Sequence, residues 1–225
     1  MCGRFTLTAS VDELVDRFDI EFFLQQEQYA PSYNIAPSQS VLSVINDGEQ
    51  NKMGFLRWGL IPAWAKDPSI GFKMINARAE TLHEKPSFRN AFQKRRCLIV
   101  ADSFYEWKKL DDKTKTPMRI TLKTDQLFAM AGLWEKWISP EGASIYSCSV
   151  ITTNANDFIK DIHDRMPVIL KPEDEKLWLN PQLTNKTALN SLLKPLEPKL
   201  MDAHEVSSLV NSPRNNSIEL IQKIC

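Results

Sequence analysis

The chain has 225 residues, with 28 Lys and Arg against 28 Asp and Glu, and 43% of it is hydrophobic. That length suits one domain of generous size or two small ones with a real core, and zero net charge argues against a nonspecific polyanion binder while allowing a local basic groove. With no run of about 18 apolar residues and no basic-then-apolar leader, a cytoplasmic protein without a membrane span is expected.

Met1 is followed by Cys2, a residue small enough for routine methionine removal. A free Cys2 carries an α-amine and a thiol on adjacent carbons. The amine gives a Schiff base with an aldehyde, and the thiol can then close a five-membered thiazolidine ring. An arbitrary small residue after the start codon is the alternative at this point. Residues 4–8 read as a strand. Ser10 and Glu13 form a capping box, and Val11, Leu14, Val15 and Phe18 at helical spacing predict a helix over 10–18. Val41–Ile45 and Phe55–Leu60 predict two strands joined around Asp47-Gly48.

Ser87 is the expected cap of a helix through Arg95, with Phe88 and Phe92 on one face. Cys97–Ala101, Phe104–Leu110, Met118–Leu122, Leu127–Trp134 and Ile145–Thr152 predict strands, with a hairpin turn over Asp111-Asp112-Lys113-Thr114. A short helix is expected over Ala155–Asp161. A second starts at Pro172, where Glu173, Asp174 and Glu175 face the dipole, and a last one covers about 184–193. Strand following strand without βαβ alternation predicts an α+β domain, mainly antiparallel and barrel-like, with short flanking helices.

Three polar residues interrupt apolar segments: Asn76, Glu106 and His163. A carboxylate between Tyr105 and Trp107 is desolvated unless paired, which raises its pKa toward acid–base use; an edge-strand glutamate facing water is the alternative. His163 stands in the cluster Asp161-Ile162-His163-Asp164-Arg165 before Met166-Pro167, whereas His83 and His204 read as surface. No histidine has a ligand partner at i+3 or i+4, so no metal is expected. Cys2, Cys97, Cys148 and Cys225 form no C-x-x-C pair, and seven glycines form no phosphate loop, so no cofactor is expected. Trp58 and Trp64 flank a Pro-bearing turn and could stack on unpaired bases, with Arg4, Arg57, Arg78, Arg89 and the Lys94-Arg95-Arg96 run as phosphate contacts. Core tryptophans and a solvated helix end are the competing explanation.

An ordered set of segments resembles the SRAP family, also called SOS response-associated peptidases or abasic-site processing proteins. The set is Met1-Cys2-Gly3-Arg4-Phe5, Tyr33-Asn34-Ile35-Ala36-Pro37, Trp58-Gly59-Leu60-Ile61-Pro62, Ile75-Asn76-Ala77-Arg78-Ala79-Glu80 and Ser87-Phe88-Arg89-Asn90-Ala91-Phe92. It continues with Phe104-Tyr105-Glu106-Trp107-Lys108, Ala131-Gly132-Leu133-Trp134-Glu135, Ile162-His163-Asp164-Arg165-Met166-Pro167 and Val210-Asn211-Ser212-Pro213-Arg214-Asn215. The order runs from residue 2 to about 215, so nearly the whole chain is covered.

The resemblance implies a single SRAP domain over 1–225. Such a domain acts, as a monomer, on abasic sites in single-stranded DNA, at the nucleoid during DNA damage if the source is bacterial. It implies a thiazolidine DNA–protein crosslink at Cys2, with Asn76, Glu106 and His163 around it and Arg4, Asn34, Trp58, Trp64, Arg78 and Arg89 as the DNA-binding set. His163 is then expected to protonate the sugar oxygen, Glu106 to shuttle protons, and Asn76 to orient the amine or a sugar hydroxyl. Two other readings are a thiol peptidase that removes its own Met1 and a non-catalytic reader of modified or single-stranded DNA. One departure stands out: the family usually has Gly where this chain has Ser103, which implies strain or rearrangement if that backbone needs a positive φ.

Overall fold

A computed structural model describes residues 2–111, 114–124 and 126–224. In chain order the strands and helices begin with β1 (Phe5–Leu7), α1 (Val11–Phe18), β2 (Phe22–Phe23), β3 (Ser32–Ile35), β4 (Ser40–Asn46), β5 (Asn51–Trp58), β6 (Asn76–Arg78) and α2 (Arg89–Lys94). They continue with β7 (Arg96–Ala101), β8 (Ser103–Lys109), β9 (Lys115–Leu122), β10 (Phe128–Ile138), β11 (Ser144–Asn154), β12 (Arg165–Pro167), β13 (Ile169–Leu170), α3 (Pro172–Leu179), α4 (Lys186–Ser191) and β14 (Met201–Glu205). The α+β class is as expected, and most strand pairs are antiparallel.

Two sheets carry the fold. The first has the order β14-β9-β8-β1-β3, and the second β12-β11-β10-β7-β4-β5-β2. A parallel pairing of β11 with β5, at Ser147 opposite Arg57 and Cys148 opposite Trp58, closes β5-β4-β7-β10-β11 into a ring. Closure removes two sheet edges and makes the barrel. β6 adds to β11 in parallel and β12 adds to it in antiparallel, so two short strands flank one long one.

Local chemistry sets the boundaries. Ser10 caps α1, and the Glu13 carboxylate accepts from the Ser10 amide at 2.7 Å, which completes the capping box. Asp47-Gly48 makes the β4–β5 turn with Gly48 at φ 104°. α2 starts one residue later than expected: Phe88 precedes it with no side-chain cap, because Phe88 and Arg89 amides both donate to Lys85 O in a preceding turn. Residues 157–162 form turns rather than the helix expected over Ala155–Asp161. Asn156 Oδ1 captures the amides of Phe158 and Ile159, so its side chain competes with helical bonding. In the expected Asp111–Thr114 turn, Asp112 and Lys113 lie outside the described residues, while Thr114 N–H donates to Asp111 Oδ1 at 2.8 Å. Ser103 shows no left-handed backbone; its hydroxyl meets Thr6 and accepts from Arg119 Nε at 2.9 Å, so the position is used for polar packing rather than strained.

Gly59 has φ 127°, and a Cβ there would stand 2.7 Å from the Gly71 carbonyl oxygen. Its amide donates to Cys148 O, and the Leu60 amide to Met74 O, which aims the chain toward β6. Gly59→Ala is expected to cost more than the ~1–3 kcal/mol of an unfavourable backbone conformation alone, measured as a fall in the urea midpoint.

Candidate functional site

Both sheets contribute to one constellation. Residues 2–4 lead into β1, and β1 pairs with β8 so that Phe5 faces Phe104 and Thr6 faces Ser103. The Tyr105 amide donates to Arg4 O at 2.9 Å, which carries the pairing back toward residue 2 and brings it alongside Glu106. From the second sheet, β6 presents Asn76, and the turn before β12 presents His163. Asn76 Nδ2 donates to Cys2 O at 2.9 Å, and His163 Nε2 lies 4.0 Å from Glu106 Oε2. Four residues spread over 162 positions thus meet where the sheets face each other.

Burial controls the electrostatics. Glu106 is only 2% exposed, and loss of water raises its pKa to about 7. The Cys2 thiol is fully buried and held well above the usual thiol range, first by burial and second by the neighbouring Glu106 carboxylate. It is therefore a neutral thiol here. Burial lowers the pKa of His163. The Arg165 amide donates to His163 Nδ1 at 3.0 Å, while Nε2 faces Glu106. Asp164 Oδ1 also lies 2.8 Å from Nδ1, so an amide donor and a carboxylate acceptor meet at the same ring nitrogen. Asn76 Oδ1 is buried without a hydrogen-bond partner among the described residues, an acceptor left beside Cys2.

The expected DNA-binding set divides. Trp58 is fully buried, its ring 5.1 Å from Phe5, and its Nε1 donates to Ile75 O. It is not a stacking platform but a support for the residue before Asn76. Asn34 is 2% exposed and makes no surface for DNA; its Nδ2 donates to the carbonyls of Ser212 and Asn215, and its Oδ1 accepts from Arg4 Nη1 at 2.7 Å. Arg4 also donates to Val210 O and lies over Trp107. Trp64, at 59%, is exposed, and so are Arg78 and Arg89. Arg78 follows Asn76 by two positions on β6 and so shares its face. The Met1 question lies outside the described residues.

The profile of the family described as "SOS response associated peptidase (SRAP)" matches residues 1–213. The chain belongs to the SRAP family. Among its SRAP relatives, Abasic site processing protein YoqW of Bacillus subtilis (strain 168) is 61% identical over 99% of both chains. Abasic site processing protein HMCES of Xenopus tropicalis is 33% identical over 88% of this chain and 68% of that protein. A crystal structure of a protein from Bacteroides thetaiotaomicron has the same fold, with a TM-score of 0.90 and 28% identity over all of both chains. Glu80 and Arg165, given no role in the sequence, form an ion pair with Nη1 2.7 Å from Oε1. Each sits inside a recognised segment, but their pairing depends on β6 and β12 flanking β11. Among the described residues, no helix is long and apolar enough to cross a membrane, and no three His, Cys, Asp or Glu side chains could hold a metal ion.

Proposed function

We propose that the chain, once Met1 is removed, captures abasic sites in single-stranded DNA through a thiazolidine crosslink at Cys2. The observation that carries this reading is the grip of Asn76 on the Cys2 carbonyl, with Glu106 and His163 beside it. The names of the relatives point the same way. An abasic deoxyribose opens to an aldehyde. An α-amine has a pKa of roughly 7.7–8.0, so a usable share is unprotonated near neutrality.

The amine attacks C1′ and water leaves, giving an imine. The Cys2 thiol then adds across C=N: sulfur bonds C1′, and nitrogen gains the proton. One water is lost overall. His163 donates a proton to the sugar oxygen and eases ring opening. Glu106, with a pKa near 7, takes the proton from the attacking amine and returns it to the departing hydroxyl. The unpartnered Asn76 Oδ1 suits an N–H or hydroxyl donor of the reacting pair. A neutral, buried thiol suits ring closure after imine formation, whereas a thiol peptidase needs the thiolate first.

Trp64, Arg78 and Arg89 are the surface contacts in this proposal, and Arg4 uses the rest of its guanidinium. Duplex DNA would first have to unstack, at a few kcal/mol. Trp64→Ala is expected to weaken binding to single-stranded DNA by about 1–3 kcal/mol at fixed salt, read by fluorescence anisotropy. The test of the function is a denaturing gel of Met1-free protein with single-stranded DNA holding one abasic site. A heat-stable shifted band is expected with wild type and not with Cys2→Ala or intact DNA. A band with Cys2→Ala would remove Cys2 from the reaction.

A further inference from the structure

Away from Cys2, the two sheets leave an apolar groove at one end. Its walls are the end of β9, the start of β10, β13 and the turn Pro198–Leu200, with Arg17 of α1 beside them. The Lys123 amide donates to Leu200 O at 2.9 Å, and β13 pairs with β10 at Ala129 opposite Leu170, so backbone bonds hold the walls. The groove holds about 350 Å³. It shares Ile169, Lys171 and Leu196 with a second depression of about 440 Å³ that continues toward α4, and the two make one trench. None of Cys2, Asn76, Glu106 and His163 lines it. Leu122, at its edge, lies four residues along β9 from Met118, the register partner of Glu106, a separation of roughly 13 Å.

Two kinds of chemistry meet in the trench. Its floor is aliphatic, with Ile169 and Leu196 buried and Leu200 still 39% exposed at the rim. Around it stand Lys123, Lys171, Lys194 and Lys199, against two lining carboxylates, Asp174 and Glu197. Glu197 is shared by Lys171 at 3.0 Å and Lys199 at 2.9 Å, and Arg17 is engaged by Glu175 at 2.7 Å. Among the described residues, Lys123 and Lys194 have no ion-pair partner. The rim therefore carries surplus positive charge over an apolar floor. Single-stranded DNA matches the charge but not the floor, since the ring lining the trench, Phe128, is 2% exposed and offers no face to a base. A small amphiphile would fill one depression and leave the other open.

We propose that this trench docks an extended segment of a partner protein in which carboxylates alternate with large apolar side chains. The apolar side chains enter the two depressions, and the carboxylates meet Lys123 and Lys199. A contact of this size is transient. Docking there leaves the Cys2 site open, so partner and DNA can be held together. The proposal does not depend on the chemistry assigned to Cys2.

The test pans random dodecapeptides displayed on phage against the full chain, then measures enriched sequences, synthesised with a fluorophore, by anisotropy. Enrichment of peptides that set Asp or Glu beside Leu, Ile or Phe is expected. Lys123→Glu and Leu200→Ser, both at the exposed rim, should each weaken their binding about tenfold, with circular dichroism and the crosslinking rate unchanged. Added salt should weaken it further. No enriched set, a set without carboxylates, or binding indifferent to both substitutions overturns the proposal. So does displacement of the peptide by a single-stranded oligonucleotide, or self-association of the chain that Leu200→Ser abolishes, which would make a second copy the occupant. Failure of the abasic-site reading would appear separately, as a wild type that forms no crosslink and still binds the peptide.

Discussion

Serine at position 2 is expected to leave imine formation intact and to abolish the durable crosslink. The α-amine is unchanged in Cys2→Ser, so the aldehyde still condenses with it. A hydroxyl is a far weaker nucleophile than a thiol toward C=N, so the imine stays open to hydrolysis. Borohydride would trap this imine as a stable amine, giving a band on a denaturing gel only when the reductant is present. Wild type should give its band without reductant. The open imine also acidifies the neighbouring C2′ hydrogen, so β-elimination and strand cleavage should rise in the variant. A Cys2→Ser product as durable as wild type, without reductant, would show that ring closure is not the trap.

Glu106→Gln is expected to lower the single-turnover rate by about 10²–10⁴-fold, the range for removing a positioned general acid–base. Its pKa of about 7 predicts a wild-type rate that climbs with pH through that value as the carboxylate forms, and a variant profile without this limb. The same shift has a stability consequence of definite sign. The ordinary value is 4.5, and burial raises it to about 7 in the folded chain. Below pH 4.5 both states hold the proton and no penalty exists. Between 4.5 and 7 the unfolded chain ionises while the folded one does not, so stability falls as pH rises. Above 7 the full penalty remains, about 3 kcal/mol from a difference of roughly 2.5 in pKa. Glu106→Gln should therefore be more stable than wild type at pH 8 and lose that advantage near pH 4.5, measured by urea titration. A variant less stable than wild type at pH 8 would contradict the desolvated carboxylate. Gaining stability while losing activity is the expected mark of a strained functional site.

Much of this architecture was legible in local chemistry. The Ser10–Glu13 box fixes the start of α1 because its bonds span three residues. The long strands show in their apolar runs, and Glu106 shows because a carboxylate between aromatics violates the pattern around it. The ring closure of β11 on β5 was not legible: it joins residues about 90 positions apart and leaves no local mark. β6 and β12, three residues each, are too short for any period to register. Trp58 and Trp64 look alike in sequence, six residues apart around one turn, yet one lies in the core and the other in solvent. Trp58 packs against Phe5 from the other sheet, a contact that joins residues far apart in the chain. Asn34 likewise reads as a polar site residue, and its actual task is to fasten the segment from Val210 to Asn215 beneath Arg4. Arg165 has meaning only when three strands lie side by side.

The most direct test of the central claim is mass spectrometry of the isolated crosslink, combined with thiol alkylation. Met1-free protein is reacted with an abasic single-stranded oligonucleotide, denatured, and treated with iodoacetamide before digestion. The account predicts the summed mass minus one water, a deoxyribose remnant on the residue 2 peptide, and no alkylation at Cys2, because both its nitrogen and its sulfur are bonded to C1′. An adduct of the same mass whose Cys2 sulfur is alkylated, or a remnant on any other peptide, would contradict it.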